Sequence, residues 1–138
     1  MDLKHGAAWL CLGLLAASSG SAAEAKAPPL PRYGVMVFSN LCIDPEGGDY
    51  GGERLTLIRR PDGDALLYEY GNGPLSAPVA ADNLTIKGAT LTASALNDDQ
   101  VVFLVARLGS GGAVLTGRGD DRQLKRIGSY AAKIPACR

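Results

Sequence analysis

Residues 54–70 read "RLTLIRRPDGDALLYEY", which is two alternating segments around a turn. In the first segment Leu55 and Leu57 alternate with polar residues. In the second segment the large apolar side chains recur at every second position, at Leu66, Tyr68 and Tyr70. A strand needs this period of two to bury one side. Asp62-Gly63 lies between the segments, and glycine accepts a positive φ without steric cost. The segment therefore predicts a β-hairpin.

Similar strand-like segments recur along most of the chain and predict an all-β fold. They are separated by turn residues and cover 32–39, 54–60, 65–70, 83–96 (two strands around Lys87-Gly88), 101–108, 113–118, 123–127 and 130–134. About eight or nine short strands at nearly regular spacing are typical of a barrel or a sandwich. We favour a small antiparallel barrel of about eight strands over a sandwich, because most connections are hairpins and closure removes exposed strand edges.

The glycine-rich turns and the final hairpin, "LTGR" (115–118) followed by "LKR" (124–126), resemble in architecture the small secreted β-barrels of the calycin kind. A barrel of about eight strands has an interior that side chains fill or that holds one small ligand. The alternation places a common set of apolar side chains in the core. These are Leu55, Leu57, Leu66, Tyr68, Leu91, Phe103 and Leu115.

The N-terminus has the three-part layout of a secretory signal peptide. A short basic head precedes an apolar run of about a dozen residues, and residues 18–23 are small. The apolar run is too short to span a bilayer, which needs about 20 residues. We expect a signal peptide over 1–23, a flexible Ala/Pro-rich leader over 24–31 and a single barrel domain over 32–138. The mature protein is then periplasmic or secreted, with no membrane span.

Two cysteines, Cys42 and Cys137, remain after signal cleavage, because Cys11 leaves with the signal. In an oxidising compartment two such cysteines usually pair. We therefore predict a disulfide between Cys42 and Cys137, which ties the end of the first strand to the last residues of the chain. The sequence has no Cys-x-x-Cys spacing, and no histidine lies near either cysteine, so redox and zinc chemistry are not indicated.

The charge balance and the histidine count exclude several classes of function. The chain has 14 basic and 14 acidic residues, and a neutral balance argues against binding nucleic acid or an anionic membrane. The single histidine, His5, leaves with the signal, which excludes Ser-His-Asp and Cys-His catalysis. We expect no enzymatic activity and no cofactor. A carboxylate pair that hydrolyses glycosides is a less favoured alternative.

The segment from Ser39 to Leu57, "SNLCIDPEGGDYGGERLTL", supplies the candidate binding residues. They form a glycine-rich loop and are Asp44, Glu46, Asp49, Tyr50 and Glu53. The acids do not follow the EF-hand spacing, so we predict no metal site and keep a calcium loop as a less favoured alternative. Tyr50 lies between two glycine pairs, where it either closes the barrel mouth or stands out as a contact residue.

Two functions are compatible with a small exported barrel that lacks catalytic residues. The favoured one is a protein-binding module of the cell envelope, such as an inhibitor or a neutralising partner, which uses the acidic loop against a basic protein. The alternative is a carrier that holds a small apolar ligand in the barrel interior. The carrier needs a hollow, apolar interior of roughly 300 Å³ or more.

Overall fold

A computed structural model describes residues 30–117 and 119–138. The predicted signal peptide (1–23) lies outside the described residues, as does the predicted leader up to residue 29. The described part is all-β, as predicted, and contains no helix that could cross a membrane. Its strands are β1 (Gly34–Ser39), β2 (Cys42–Ile43), β3 (Tyr50–Arg59), β4 (Ala65–Gly73), β5 (Val79–Ala80), β6 (Asp82–Lys87), β7 (Thr90–Asn97), β8 (Gln100–Leu108), β9 (Gly112–Thr116) and β10 (Arg122–Ile127).

The strands form one antiparallel sheet that is nearly closed into a barrel. Their order is β5-β4-β3-β1-β10-β9-β8-β7-β6, with β2 paired to β3 beside this path. Strand β1 joins the N-terminal and C-terminal strands, since Met36 lies opposite Leu57 of β3 and Phe38 lies opposite Arg126 of β10. The small antiparallel barrel is confirmed. It has ten strands in place of about eight, and β2 and β5 are only two residues long.

The hairpin predicted at 54–70 forms from β3 and β4, with Leu57 opposite Leu66. A second tight connection joins β7 to β8 through Asp98 and Asp99, whose φ angles are 44° and 63°. Two consecutive positive φ angles fit the hairpin turn whose twist matches that of the flanking strands. This turn fixes the register along the longest continuous pairing of the C-terminal half.

Side chains fill the barrel interior. The buried apolar cluster consists of Met36, Phe38, Leu55, Leu57, Leu66, Tyr68, Leu91, Ala93, Ala95, Val102, Leu104, Ala106, Leu108, Ala113, Leu115 and Leu124. The cluster draws on strands all around the barrel, and its largest members have essentially no exposed surface. Six of the seven predicted core residues are confirmed.

The prediction that Phe103 belongs to the core is wrong. Its side chain is 77% exposed, whereas its neighbours Val102 and Leu104 are buried. Strand β8 follows a strict alternation in which the even-numbered positions point inwards. The segment is apolar on both faces, so hydrophobicity alone does not reveal which face is buried.

The chain after β10 covers the outer face of the barrel wall. The strand predicted at 130–134 does not form, and that segment is irregular. The predicted disulfide is confirmed: Cys42 and Cys137 are bonded, with their Cα atoms 4.8 Å apart. Two backbone hydrogen bonds flank it, from the N–H of Ile43 to the Pro135 carbonyl and from the N–H of Cys137 to the Ile43 carbonyl, each 2.9 Å long.

Candidate functional site

Asp44 organises the tight turn between β2 and β3. Its carboxylate accepts hydrogen bonds from the backbone N–H groups of Glu46 and Gly47, both at 3.2 Å. Its own backbone bonds to Asp49 and Gly48 close the turn. These bonds use the Asp44 side chain to hold the backbone, as Asp does in many turns. Glu46 and Asp49 remain exposed at the surface.

Tyr50 lies at the first position of β3, so the predicted loop ends sooner than expected. It pairs with Ile43 of β2 and with Gly73 of β4, and its side chain is half-buried. The strand extends this far because glycine lets the backbone of β4 approach the backbone of β3 closely. A Cβ atom at Gly71 of β4 would lie 2.7 Å from the Tyr50 backbone.

Glu53 lies inside the barrel and not in an exposed loop, which corrects the prediction. It shares the inward face of β3 with Leu55 and Leu57, because positions two apart on a strand face the same way. Its Oε1 atom accepts a hydrogen bond from the Tyr68 hydroxyl at 2.7 Å and one from Nη1 of Arg122 at 2.6 Å. The Arg122 contact is a short ion pair between β3 and β10.

Two polar atoms of this ion pair are buried and have no hydrogen-bond partner among the described residues. They are Oε2 of Glu53 and Nε of Arg122. A buried polar group without a partner costs about 1–3 kcal/mol, and more when it is charged. Such groups are rare in folded proteins and call for an explanation, such as a bound ligand or solvent molecule. The Glu53–Arg122 pair therefore retains one unused hydrogen-bond acceptor and one unused donor, both buried.

Glu53 and Arg122 line an open cleft of about 410 Å³ at one end of the barrel. We call it the mouth cleft, and its lining residues are Asn40, Gly52, Glu53, Tyr68, Tyr70, Gly71, Asn72 and Arg122. The starts of β3 and β10 meet the ends of β1 and β4 here. Gly52 is required at this point, because it has a φ of 93° and a Cβ atom there would lie 2.6 Å from the Asn40 carbonyl oxygen.

Aromatic rings form one side of the mouth cleft, and one of them is bonded to Asp98, which lies beyond the cleft lining. The rings of Tyr68 and Tyr70 are stacked, with their centroids 6.2 Å apart. The Tyr70 hydroxyl donates a hydrogen bond to the carboxylate of Asp98, which lies in the turn between β7 and β8. This bond joins β4 to the opposite side of the open end of the barrel. The partly buried Tyr70 ring thus lies beside the charged pair in the cleft lining.

A separate ion pair lies on the outer face of β3 and β4. Arg54 donates two hydrogen bonds to the Glu69 carboxylate, at 2.8 and 2.7 Å, and its guanidinium stacks on the Tyr130 ring. The Tyr130 hydroxyl also donates to Glu69, at 2.9 Å. The hydrogen bond to Glu69 raises the pKa of Arg54, and partial burial together with the same carboxylate raises the pKa of Tyr130. The cluster attaches the C-terminal segment to the barrel.

The described residues do not support the calcium alternative. Within residues 30–117 and 119–138 no three His, Cys, Asp or Glu side chains lie close enough together to hold a metal ion. The carboxylates of Asp44 and Glu53 face different surroundings, since Asp44 binds turn backbone and Glu53 points into the barrel. Glu53 is therefore separated by the fold from the acids of the turn.

Sequence reasoning found Glu53 but missed its partners, Tyr68 and Arg122. The alternation of β4 predicted that Tyr68 faces inwards, and the alternation of β3, continued two residues before Leu55, would have put Glu53 on the face shared by Leu55 and Leu57. Arg122 gave no such signal. It meets Glu53 because β10 pairs with β1 in the barrel wall, which brings together residues 69 positions apart.

Comparison of the chain with protein-family models, with curated proteins and with solved structures finds no match.

Proposed function

We propose that the protein is an exported binding module that takes a small, neutral, polar ligand in its mouth cleft. The observation that carries this proposal is the buried Glu53–Arg122 pair, which leaves one acceptor and one donor without partners beside an open cleft. Export is supported by the Cys42–Cys137 disulfide, because disulfides persist in oxidising compartments.

The charges of the mouth cleft favour a neutral ligand. Glu53 and Arg122 compensate each other, so a charged ligand gains no net attraction from them. A group that donates to Oε2 of Glu53 and accepts from Nε of Arg122 fits best. Two neighbouring hydroxyl groups of a sugar have this pattern, and the Tyr70 ring offers a flat surface for the apolar face of a sugar ring. The cleft volume lies within the range of small-ligand sites.

Binding without chemical conversion is the simplest use of this site. Among the described residues that line the mouth cleft, Glu53 is the one carboxylate, and it is held by Arg122. Glycoside hydrolysis needs a pair of carboxyl groups on either side of the scissile bond. Carriage of an apolar ligand in the interior has little support either, because Phe38, Tyr68 and Met36 fill that space.

Nuclear magnetic resonance titration with a panel of neutral mono- and disaccharides tests the proposal. We expect chemical-shift changes concentrated at Gly52, Gly71 and Arg122. The variant Glu53→Gln should weaken binding about tenfold or more, since hydrogen bonds to charged groups contribute about 1.5–3 kcal/mol. Glu46→Gln, which alters an exposed glutamate on the nearby turn, is the matched control and should bind like the wild type.

The opposite results would remove the proposal. If the panel produces no shift changes at the mouth cleft of the folded wild type, the cleft is not a saccharide site. If charged analogues, such as a uronic acid or an amino sugar, bind more tightly than every neutral sugar, the argument from charge compensation is wrong. The thermal stability of each variant shows whether weaker binding reflects loss of the fold.

Protein binding through the β2–β3 turn is the second candidate, and one observation favours it. The turn is held rigidly by Asp44 and by the neighbouring disulfide, and it presents the exposed carboxylates of Glu46 and Asp49 beside the half-buried Tyr50. A basic envelope or host protein is the partner of matching charge. Asp49→Ala with Tyr50→Ala should weaken capture of such a partner while leaving saccharide titrations unchanged. Loss of thermal stability with unchanged capture per folded molecule would show that Tyr50 serves only the barrel.

A further inference from the structure

The outer face of β8 carries a row of apolar side chains that the described part of the chain leaves uncovered. Val101, Phe103 and Val105 are exposed by 60%, 77% and 41%. Leu96 of β7 lies opposite Val101 and extends the row. Single exposed apolar residues are common, but a contiguous row with an aromatic residue at its centre marks an interaction surface.

Charges of opposite sign lie at the two ends of this row, each four residues along the chain from Phe103. Val101 and Val105 lie two positions from Phe103, and Asp99 and Arg107 lie four positions from it. Arg107 lies on β8, so at about 3.4 Å per residue it is roughly 14 Å from Phe103, and Asp99, in the turn that precedes the strand, is at most about that far away. Both charged residues are exposed, and neither forms an ion pair within residues 30–117 and 119–138.

We propose that a second copy of this chain packs on the face formed by Val101, Phe103 and Val105, about a two-fold axis that passes near Phe103. The two β8 strands then run in opposite directions across the interface. Val101 of each subunit meets Val105 of the other, and Asp99 of each meets Arg107 of the other.

A second copy suits this face better than an unrelated protein because the pattern is self-complementary. A two-fold interface uses the same patch on both subunits, so a residue and its contact are exchanged between them. That requires an apolar centre with charges of opposite sign on either side of it, which Asp99 and Arg107 supply on either side of Phe103. Two sheets packed face to face with strands nearly aligned are a common arrangement, at a spacing of about 10 Å. The contact closes on itself and ends at the dimer.

Sedimentation equilibrium of the mature protein over a concentration series measures the association. We expect a monomer–dimer equilibrium. Phe103→Ser should weaken it about tenfold or more, as truncation of a central aromatic contact does. Val35→Ser is the matched control, because Val35 of β1 is also 60% exposed and lies on another part of the wall. This control should leave the equilibrium unchanged.

A pair of charge changes tests the two-fold arrangement itself. Asp99→Asn keeps a residue that tolerates the positive φ of this turn, and it should weaken the wild-type dimer by about two- to fivefold. Arg107→Glu should weaken the dimer further, because it places two acids together. In the Arg107→Glu background, Asp99→Asn should strengthen the dimer, because it now removes a repulsion. This change of sign is not expected unless residues 99 and 107 of different copies meet.

Three results would overturn the proposal. The first is a wild type that stays monomeric up to its solubility limit. The second is a dimer that Phe103→Ser leaves intact. The third is an Asp99→Asn effect of the same sign in both backgrounds. If the wild type is monomeric and Phe103→Ser instead abolishes capture of a different protein, the face serves that protein and not a second copy. Circular dichroism of each variant confirms that the barrel is folded.

Discussion

Glu53 and Arg54 are neighbours in the chain, yet their ion pairs differ in how completely the hydrogen-bonding atoms of each pair are satisfied. Arg54 points outwards and forms a two-bond pair with Glu69, to which Tyr130 adds a third bond. Glu53 points inwards and uses one oxygen for both of its partners, so the other oxygen has no partner in the part of the chain that the structure describes. The outward pair satisfies its members, as a stabilising contact should. The inward pair leaves one polar atom of each member buried without a partner among the described residues, which is the observation behind the proposed ligand site.

The Tyr130 hydroxyl should make the stability of the protein depend on alkaline pH. Its pKa is raised in the folded state, first by burial and then by its bond to Glu69. In the unfolded chain a tyrosine titrates near pH 10, at about its ordinary value. The unfolded state therefore loses the proton first, and the stabilisation present below about pH 10 is lost as the pH rises through the folded value.

The unfolding free energies of the wild type and Tyr130→Phe, measured by urea titration from neutral to alkaline pH, check this expectation. The wild type should be more stable near neutrality, and the difference should shrink above about pH 10. Tyr33→Phe removes another exposed hydroxyl and controls for the titration of tyrosines in general. A difference that stays constant or grows with pH would show that the Tyr130–Glu69 bond does not stabilise the folded state.

At the scale of the strands, the sequence predicts each element better than it predicts which face the element buries. The hairpin of β3 and β4 could be predicted because polar and apolar residues alternate there. Strand β8 could not be oriented, because Val101, Phe103 and Val105 are as apolar as the buried residues between them. The missing information lies in the register with β7 and β9, which depends on the turn at Asp98 and Asp99.

Contacts between distant parts of the chain could not be predicted from local patterns. Arg122 reaches Glu53, and Tyr130 reaches Glu69, only because β10 and the C-terminal segment lie against β1 and β3. The sequence therefore indicated one member of the candidate site, Glu53, but placed it in a loop. The disulfide is the exception, because the predicted signal cleavage left two cysteines and therefore a single possible pairing.

The orientation of β8 can be measured with two adjacent substitutions. Leu104→Ala should cost about 2–5 kcal/mol of unfolding free energy, because it leaves a cavity in the filled core. Phe103→Ala should change the stability of the monomer by only about 0.5 kcal/mol, because the side chain is exposed. Urea unfolding at low protein concentration, where association does not contribute, gives both values. A larger loss of unfolding free energy for Phe103→Ala than for Leu104→Ala would mean that Phe103, and not Leu104, faces the core.

At the scale of the whole molecule, the two ends of the domain are joined twice. Strand β1 pairs with β10 within the barrel, and Cys42 is bonded to Cys137 on its outside. The first joint unites the N-terminal and C-terminal strands in one sheet, and the second holds the C-terminal segment over the Arg54–Glu69 pair. The mouth cleft depends on the first joint, because Arg122 lies on β10 and Glu53 lies on the strand beside β1. The cleft should therefore survive loss of the disulfide.

The disulfide should contribute most of its stabilisation by restricting the unfolded chain. It spans 95 residues, for which the loop-entropy relation gives about 4–5 kcal/mol. We expect Cys42→Ala with Cys137→Ala to lower the unfolding free energy by roughly this amount while the barrel spectrum and the resonances of Gly52 and Gly71 persist. Urea unfolding of the oxidised and double-variant proteins measures the loss.

Tyr130→Ala separates this entropic effect from the packing of the C-terminal segment. It removes the ring contact with Arg54 and the bond to Glu69 while the disulfide stays in place. Its cost should be well below that of the double cysteine variant if restriction of the unfolded chain dominates. Equal losses for the two variants would mean that the disulfide acts mainly by holding the segment in place. A double-variant loss under about 1 kcal/mol would contradict the loop-entropy relation for this barrel.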